Sequence, residues 1–94
     1  MKVIWTAEAL AEVEGIVDYI SVADPTAALS MVERIFRAVE DSLPSNPKLG
    51  RPGRVEGTRE RIAHSSYIIA YQIARNRIEI LTVRHTARLW PEEF

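Results

Sequence analysis

Hydrophobic and polar residues along this chain change their period twice. Residues 2–5 (KVIW) alternate well enough for a short strand. Thr6 then reads as a helix N-cap, with Glu8 in the first turn, where the helix dipole favours a negative charge. Trp5 and Leu10 stand at the two positions of a hydrophobic staple that would fix the angle between strand and helix. Leu10, Val13, Val17 and Ile20 follow at helical spacing, with Glu12, Glu14 and Asp18 turned to water. Gly15 falls inside this helix, at a cost of up to about 1 kcal/mol relative to Ala, and would let a second helix approach closely. Asp24-Pro25 starts that second helix, an N-cap followed by Pro at the first helical position. Leu29, Val32, Phe36, Val39 and Leu43 then recur at steps of three and four until Pro44 stops the stripe. The short connection between the helices predicts an antiparallel hairpin.

Beyond residue 44 the period shortens. Residues 45–57 hold three of the four glycines together with Pro47 and Pro52, and Lys48, Arg51 and Arg54 are interspersed. This predicts a loop, long for a small domain and of the kind that is commonly functional or mobile. Residues 58–64 (TRERIAH) alternate as a strand, with Arg59 and Arg61 on one face and Ile62 on the other. Two β-branched, apolar runs follow, 67–73 (YIIAYQI) and 78–83 (IEILTV), joined by ARNR, in which Asn tolerates left-handed backbone. They predict an antiparallel hairpin. Both runs are apolar on both faces near their middles, which places the hairpin inside a sheet. Residues 84–88 (RHTAR) form the densest cluster of functional groups, and 89–94 (LWPEEF) a tail with two large aromatics. Together these elements make one α+β domain over residues 1–94: an N-terminal strand, then an antiparallel helical hairpin packed on one face of a mostly antiparallel sheet of three to four strands. The first strand would pair at an edge, and the other face of the sheet would be open for work.

Ninety-four residues suffice for one small core. No apolar run reaches the roughly 18 residues of a membrane span, and the N-terminus lacks a signal-peptide pattern. The absence of cysteine excludes disulfides and thiolate metal sites. A cytoplasmic protein is the expectation. Net charge is only −1, yet residues 1–47 carry a balance of −5 and residues 48–94 a balance of +4, with eight arginines in the second half. The planar guanidinium fork suits phosphate and carboxylate. Any one arginine also reads as solvating an exposed sheet, but together they favour a basic surface that meets an acidic partner, whether nucleic acid or protein.

Candidate chemistry is sparse. The two histidines lack His-x-x-x-His spacing or a carboxylate cluster, so no metal and no cofactor is expected. There is no Gly-x-Ser-x-Gly turn and no Walker or dinucleotide glycine pattern. A nuclease built from this chain would use Arg59, Arg61, His64, Arg84 and His85. One histidine would take the 2′-hydroxyl proton, the other would protonate the leaving oxygen, and the arginines would stabilise the phosphorane charge. Whether the histidines meet depends on strand order, which the sequence leaves open, and each reads equally as a strand cap. Trp90 and Phe94 read either as base-stacking or pocket-filling groups or as a cover for the core.

Several short pieces occur in one order: WTxxAL (5–10), DYI (18–20), NPxxGR (46–51), GTRE (57–60), YIIAY (67–71) and ILxVxHxAR (80–88), followed by Trp90-Pro91. In this order the chain resembles the RelE/ParE family of bacterial toxins from type II toxin–antitoxin systems, linked to plasmid stabilisation. The resemblance covers nearly the whole chain. It implies a helical hairpin on an antiparallel sheet, and a cognate antitoxin that wraps the toxin in a hetero-oligomer. Members similar to RelE cleave mRNA on the ribosome, whereas ParE members poison DNA gyrase. The nucleases carry an arginine second in the Tyr-x-x-x-Tyr stretch, where Ile68 stands here, and a tyrosine- or lysine-rich C-terminal complement that this tail lacks. The departure points to a ParE-like gyrase poison, with a ribosome-dependent mRNA endonuclease as the alternative. On either reading Arg59, Arg61, Arg84, His85, Arg88 and Trp90 are the expected target- or antitoxin-binding surface.

Overall fold

The computed structural model describes residues 1–64, 66–91 and 93–94. Both helices begin where the capping signals place them. Thr6 Oγ1 accepts from Ala9 N at 3.2 Å to start α1 (Ala7–Ser21), and Asp24 Oδ1 accepts from Ala27 N at 3.1 Å to start α2 (Pro25–Glu40). Five strands follow the pattern more loosely: β1 (Lys2–Trp5), β2 (Arg51–Pro52), β3 (Arg59–His64), β4 (Tyr67–Ala74) and β5 (Arg77–His85). Their order across the sheet is β1-β5-β4-β3-β2. The β4–β5 hairpin therefore lies inside the sheet, as its two-faced apolar runs require.

All pairings are antiparallel except β1 with β5, which run parallel with Trp5 opposite Ile80. Thr6 then locks this end by giving both its N–H and its hydroxyl to the Ile80 carbonyl. The hairpin loop is shorter than the ARNR segment suggests, because Ala74 and Arg77 join the ladder. Arg75 and Asn76 alone make the turn, both with positive φ (54° and 59°), as a tight two-residue connection demands.

One face of the sheet carries the core. Ala9 and Val13 of α1, Ile35 and Val39 of α2, and Leu43 just beyond it pack on Ile69, Tyr71, Ile78, Ile80 and Val83. The α2 stripe is centred on Ala28, Ile35 and Val39, so Leu29, one residue's 100° of rotation away, is 68% exposed. The expected staple is replaced as well. Leu10 is exposed, and Trp5 packs its ring on Phe36 of α2 at 4.6 Å while its N–H bonds Glu40. Gly15 does not serve helix packing, since a Cβ there would have no neighbour within 4 Å.

The long loop is pinned rather than loose. Tyr71 Oη donates to Pro47 O at 2.7 Å and accepts from Gly50 N at 2.9 Å. A Cβ on Gly50 would collide with that hydroxyl and with the Glu60 carbonyl, so glycine is required. Burial raises the Tyr71 pKa above the ordinary tyrosine value, outweighing the Gly50 N–H and the nearby Arg59 and Arg61. Glu60 of β3 is buried and holds the other end of the loop: it pairs with Arg51 and Arg54 at 3.2 Å each and accepts the Arg54 backbone N–H. The two-residue β2 is the product of these ties.

Candidate functional site

Small residues on α1 open a groove. Glu8, Glu12, Gly15 and Tyr19 recur at steps of four, three and four, with Ala11 one turn before Gly15, and so share one side of the helix. They face Tyr67 of β4, Val83 and His85 of β5, and Arg88 in the turn that follows. With Ile16 at its floor, the space between these walls measures about 760 Å³ and is mainly apolar.

The polar end of the groove is organised by Glu12. One carboxylate oxygen accepts the Thr82 hydroxyl, and the other lies 3.6 Å from Arg84 and 3.7 Å from Arg88. Arg84 also bonds Thr82 Oγ1 at 3.0 Å and the Leu89 carbonyl at 2.7 Å, and it approaches Glu8 at 3.9 Å. The helical pattern turned Glu12 toward water. The overlooked signal was its place in the Glu8–Tyr19 stripe beside Ala11 and Gly15.

The expected single cationic front does not form. In the β3–β4–β5 register Arg59 stands opposite Tyr71 and Arg61 opposite Ile69, on the helix-covered face. There Arg59 bonds the Gly50 and Lys48 carbonyls, and Arg61 bonds Ala38 O in the last turn of α2, where helical carbonyls lack internal partners. Arg84 stands opposite Ile68 and so leaves the sheet on the other face.

That other face is not open as expected. Trp90 comes back over it, with the Arg54 guanidinium 4.5 Å and the Arg84 guanidinium 5.9 Å from its ring. Phe94 meets Trp90 edge-on at 6.2 Å. The aromatic tail thus acts as a cover in this structure; Glu92 within it lies outside the described residues. Of the six residues expected on the working surface, only His85 and Arg88 line the groove. Arg84 and Trp90 belong to the tail clasp, while Arg59 and Arg61 are held on the opposite side.

The histidines are nearer to one another than the sequence could tell. His64 stands opposite Tyr67 and Tyr67 opposite His85, making a row across three strands at one end of the sheet. The Tyr67 and His85 rings meet edge-on at 5.4 Å. His85 Nδ1 accepts from Ala87 N at 3.0 Å, which leaves its proton on Nε2. His64 Nδ1 likewise accepts from Ser66 N at 3.4 Å. Among the described residues, no three His, Asp or Glu side chains gather as a metal site would need.

Comparison with known proteins is informative over nearly the full length. A family model described as ParE toxin of type II toxin–antitoxin system, parDE, matches residues 3–90. The protein Y4kP of Sinorhizobium fredii is 46% identical over 97% of this chain and 94% of its own. Toxin RelE2 of Caulobacter vibrioides is 39% identical over 94% of this chain and 98% of its own. Among solved structures, a chain of the chromosomal ParDE TA system from P. aeruginosa superposes with a TM-score of 0.80 at 27% identity, covering 90% of this chain and 95% of that one.

Proposed function

Since this chain belongs to the ParE toxin family of type II toxin–antitoxin systems, we propose that it arrests growth as a poison of DNA gyrase. It binds gyrase by protein–protein contact and stabilises the cleaved gyrase–DNA complex, and a cognate antitoxin neutralises it in a hetero-oligomer. It acts in the cytoplasm; among the described residues no helix is long and apolar enough to cross a membrane.

The observation that carries this reading is position 68. Where ribosome-dependent nucleases resembling RelE hold an arginine, this chain holds Ile68, only 3% exposed. An aliphatic side chain there offers nothing to a developing phosphorane charge. Of the arginines in the nuclease set, Arg59 and Arg61 hold backbone carbonyls on the other face, and Arg84, opposite Ile68, is tied to Thr82, Glu12 and the Leu89 carbonyl. Likeness to a ParDE system supports the antitoxin partner.

A second reading rests on the His64–Tyr67–His85 row and on similarity to a toxin named RelE2: ribosome-dependent cleavage of mRNA. One pair of assays separates the two. The gyrase reading expects purified protein to raise cleavage-complex levels and to inhibit supercoiling, with no new cuts in translated message by primer extension. Unchanged gyrase together with discrete cuts at the ribosomal A site, lost in His85→Ala, would reverse the assignment.

A further inference from the structure

Gly15 has no role inside the molecule that explains it. It sits at the middle of α1 in helical conformation and is exposed, and a Cβ would meet nothing within 4 Å. Alanine would fit and would favour the helix by up to about 1 kcal/mol. What a side chain there would change is the groove, because Gly15 and Ala11 are the smallest residues of the α1 wall that runs from Glu8 to Tyr19.

The groove also has an electrical sense. α1 carries Glu8, Glu12, Glu14 and Asp18 and no basic residue. Glu14 and Asp18 flank the groove stripe on its solvent side, one residue before Gly15 and Tyr19, and among the described residues neither makes an ion pair. The opposite wall presents Arg88, more than half exposed, and His85. The wall from Glu8 to Tyr19 is about 16 Å long at 1.5 Å per residue, the length of three helical turns.

We propose that Gly15 is a notch that receives one bulky apolar side chain of the antitoxin, and that it selects which antitoxin this toxin accepts. The occupant is an amphipathic helix of about three turns, with basic residues toward Glu14 and Asp18 and an acidic residue toward Arg88 and His85. This rests on the antitoxin reading above and adds the seat, the polarity and the deciding residue.

The test uses the purified product of the reading frame adjoining this gene as the probe, titrated against the full chain. Gly15→Leu fills the notch from a Cβ that meets nothing within 4 Å. It is expected to raise the melting temperature while weakening binding about 30-fold or more, the scale of an interface hot spot. Gly15→Ala gives a smaller loss in the same direction. Glu14→Lys combined with Asp18→Lys slows association at low salt and converges with the unmodified chain at high salt. Binding by folded Gly15→Leu at unmodified affinity overturns the notch and leaves the antitoxin reading standing. Failure of the unmodified chain to bind this probe overturns both.

Discussion

The two faces of the sheet are covered by different chemistry. On one face, Ile69, Ile78, Ile80 and Val83 meet apolar helix stripes, with Tyr71 and Arg59 tying in the loop and Arg61 the end of α2 at its margin. On the other, Ile68, Ala70 and Thr82 are buried as well, but the nearby clasp is layered from charge and rings: Glu60, Arg54, Trp90 and Arg84. The first face derives its stability from area removed from water, which is non-directional. The second relies on directional contacts worth about 0.5–2 kcal/mol each. The helix face should therefore carry the global stability, and the clasp should set the tail's position at lower energetic stake.

Breaking that contrast begins in the core. Ile80→Ala, at a fully buried position between β1 and β4, is expected to cost about 2–5 kcal/mol in urea unfolding. Tyr71→Phe comes next, at about 1–3 kcal/mol, because it leaves the Gly50 N–H and the Pro47 carbonyl without their partner. It also has a pH signature. A tyrosine held protonated by burial stabilises the fold fully below its unfolded pKa near 10, and that contribution disappears as pH rises through the higher folded value. The unmodified chain should lose stability above about pH 10 more steeply than Tyr71→Phe does. The smallest effect belongs to the clasp. Trp90→Ala should cost about 1–2 kcal/mol, measured the same way. Trp90→Phe should cost less than half of that, since it keeps a ring face and gives up an indole N–H that has no acceptor among the described residues. If Trp90→Ala proved as damaging as Ile80→Ala, the division between the faces would be wrong.

The same contrast explains what could be read from the sequence. Apolar periodicity reports burial against another apolar surface, so α2, the hairpin strands and their internal place in the sheet were visible. The caps at Thr6 and Asp24 were visible because they act within three residues. The second face was not visible, because its parts look solvated one at a time. Arg-Glu-Arg in β3 alternates as an exposed strand would, yet Glu60 is buried by Arg51 and Arg54 arriving from a loop. Arg59 and Arg61 point toward the helices because carbonyls await them there, a demand that hydropathy does not encode. At the candidate site, His85 and Arg88 were legible as a cluster. Glu12 was not, since its three partners come from residues 82–88, about seventy positions away.

The parallel pairing of β1 with β5 has one more consequence. Residues 2–5 find their partners only at 77–80, so β1 has no strand to join until both distant segments are in place. A polypeptide cut short before residue 77 leaves β1 without its neighbour and the start of α1 without its anchor at Ile80. Long-range closures of this kind are the slow step in assembling a chain. The sheet and the helix start that Thr6 ties to it are therefore completed together, by one closure between distant segments.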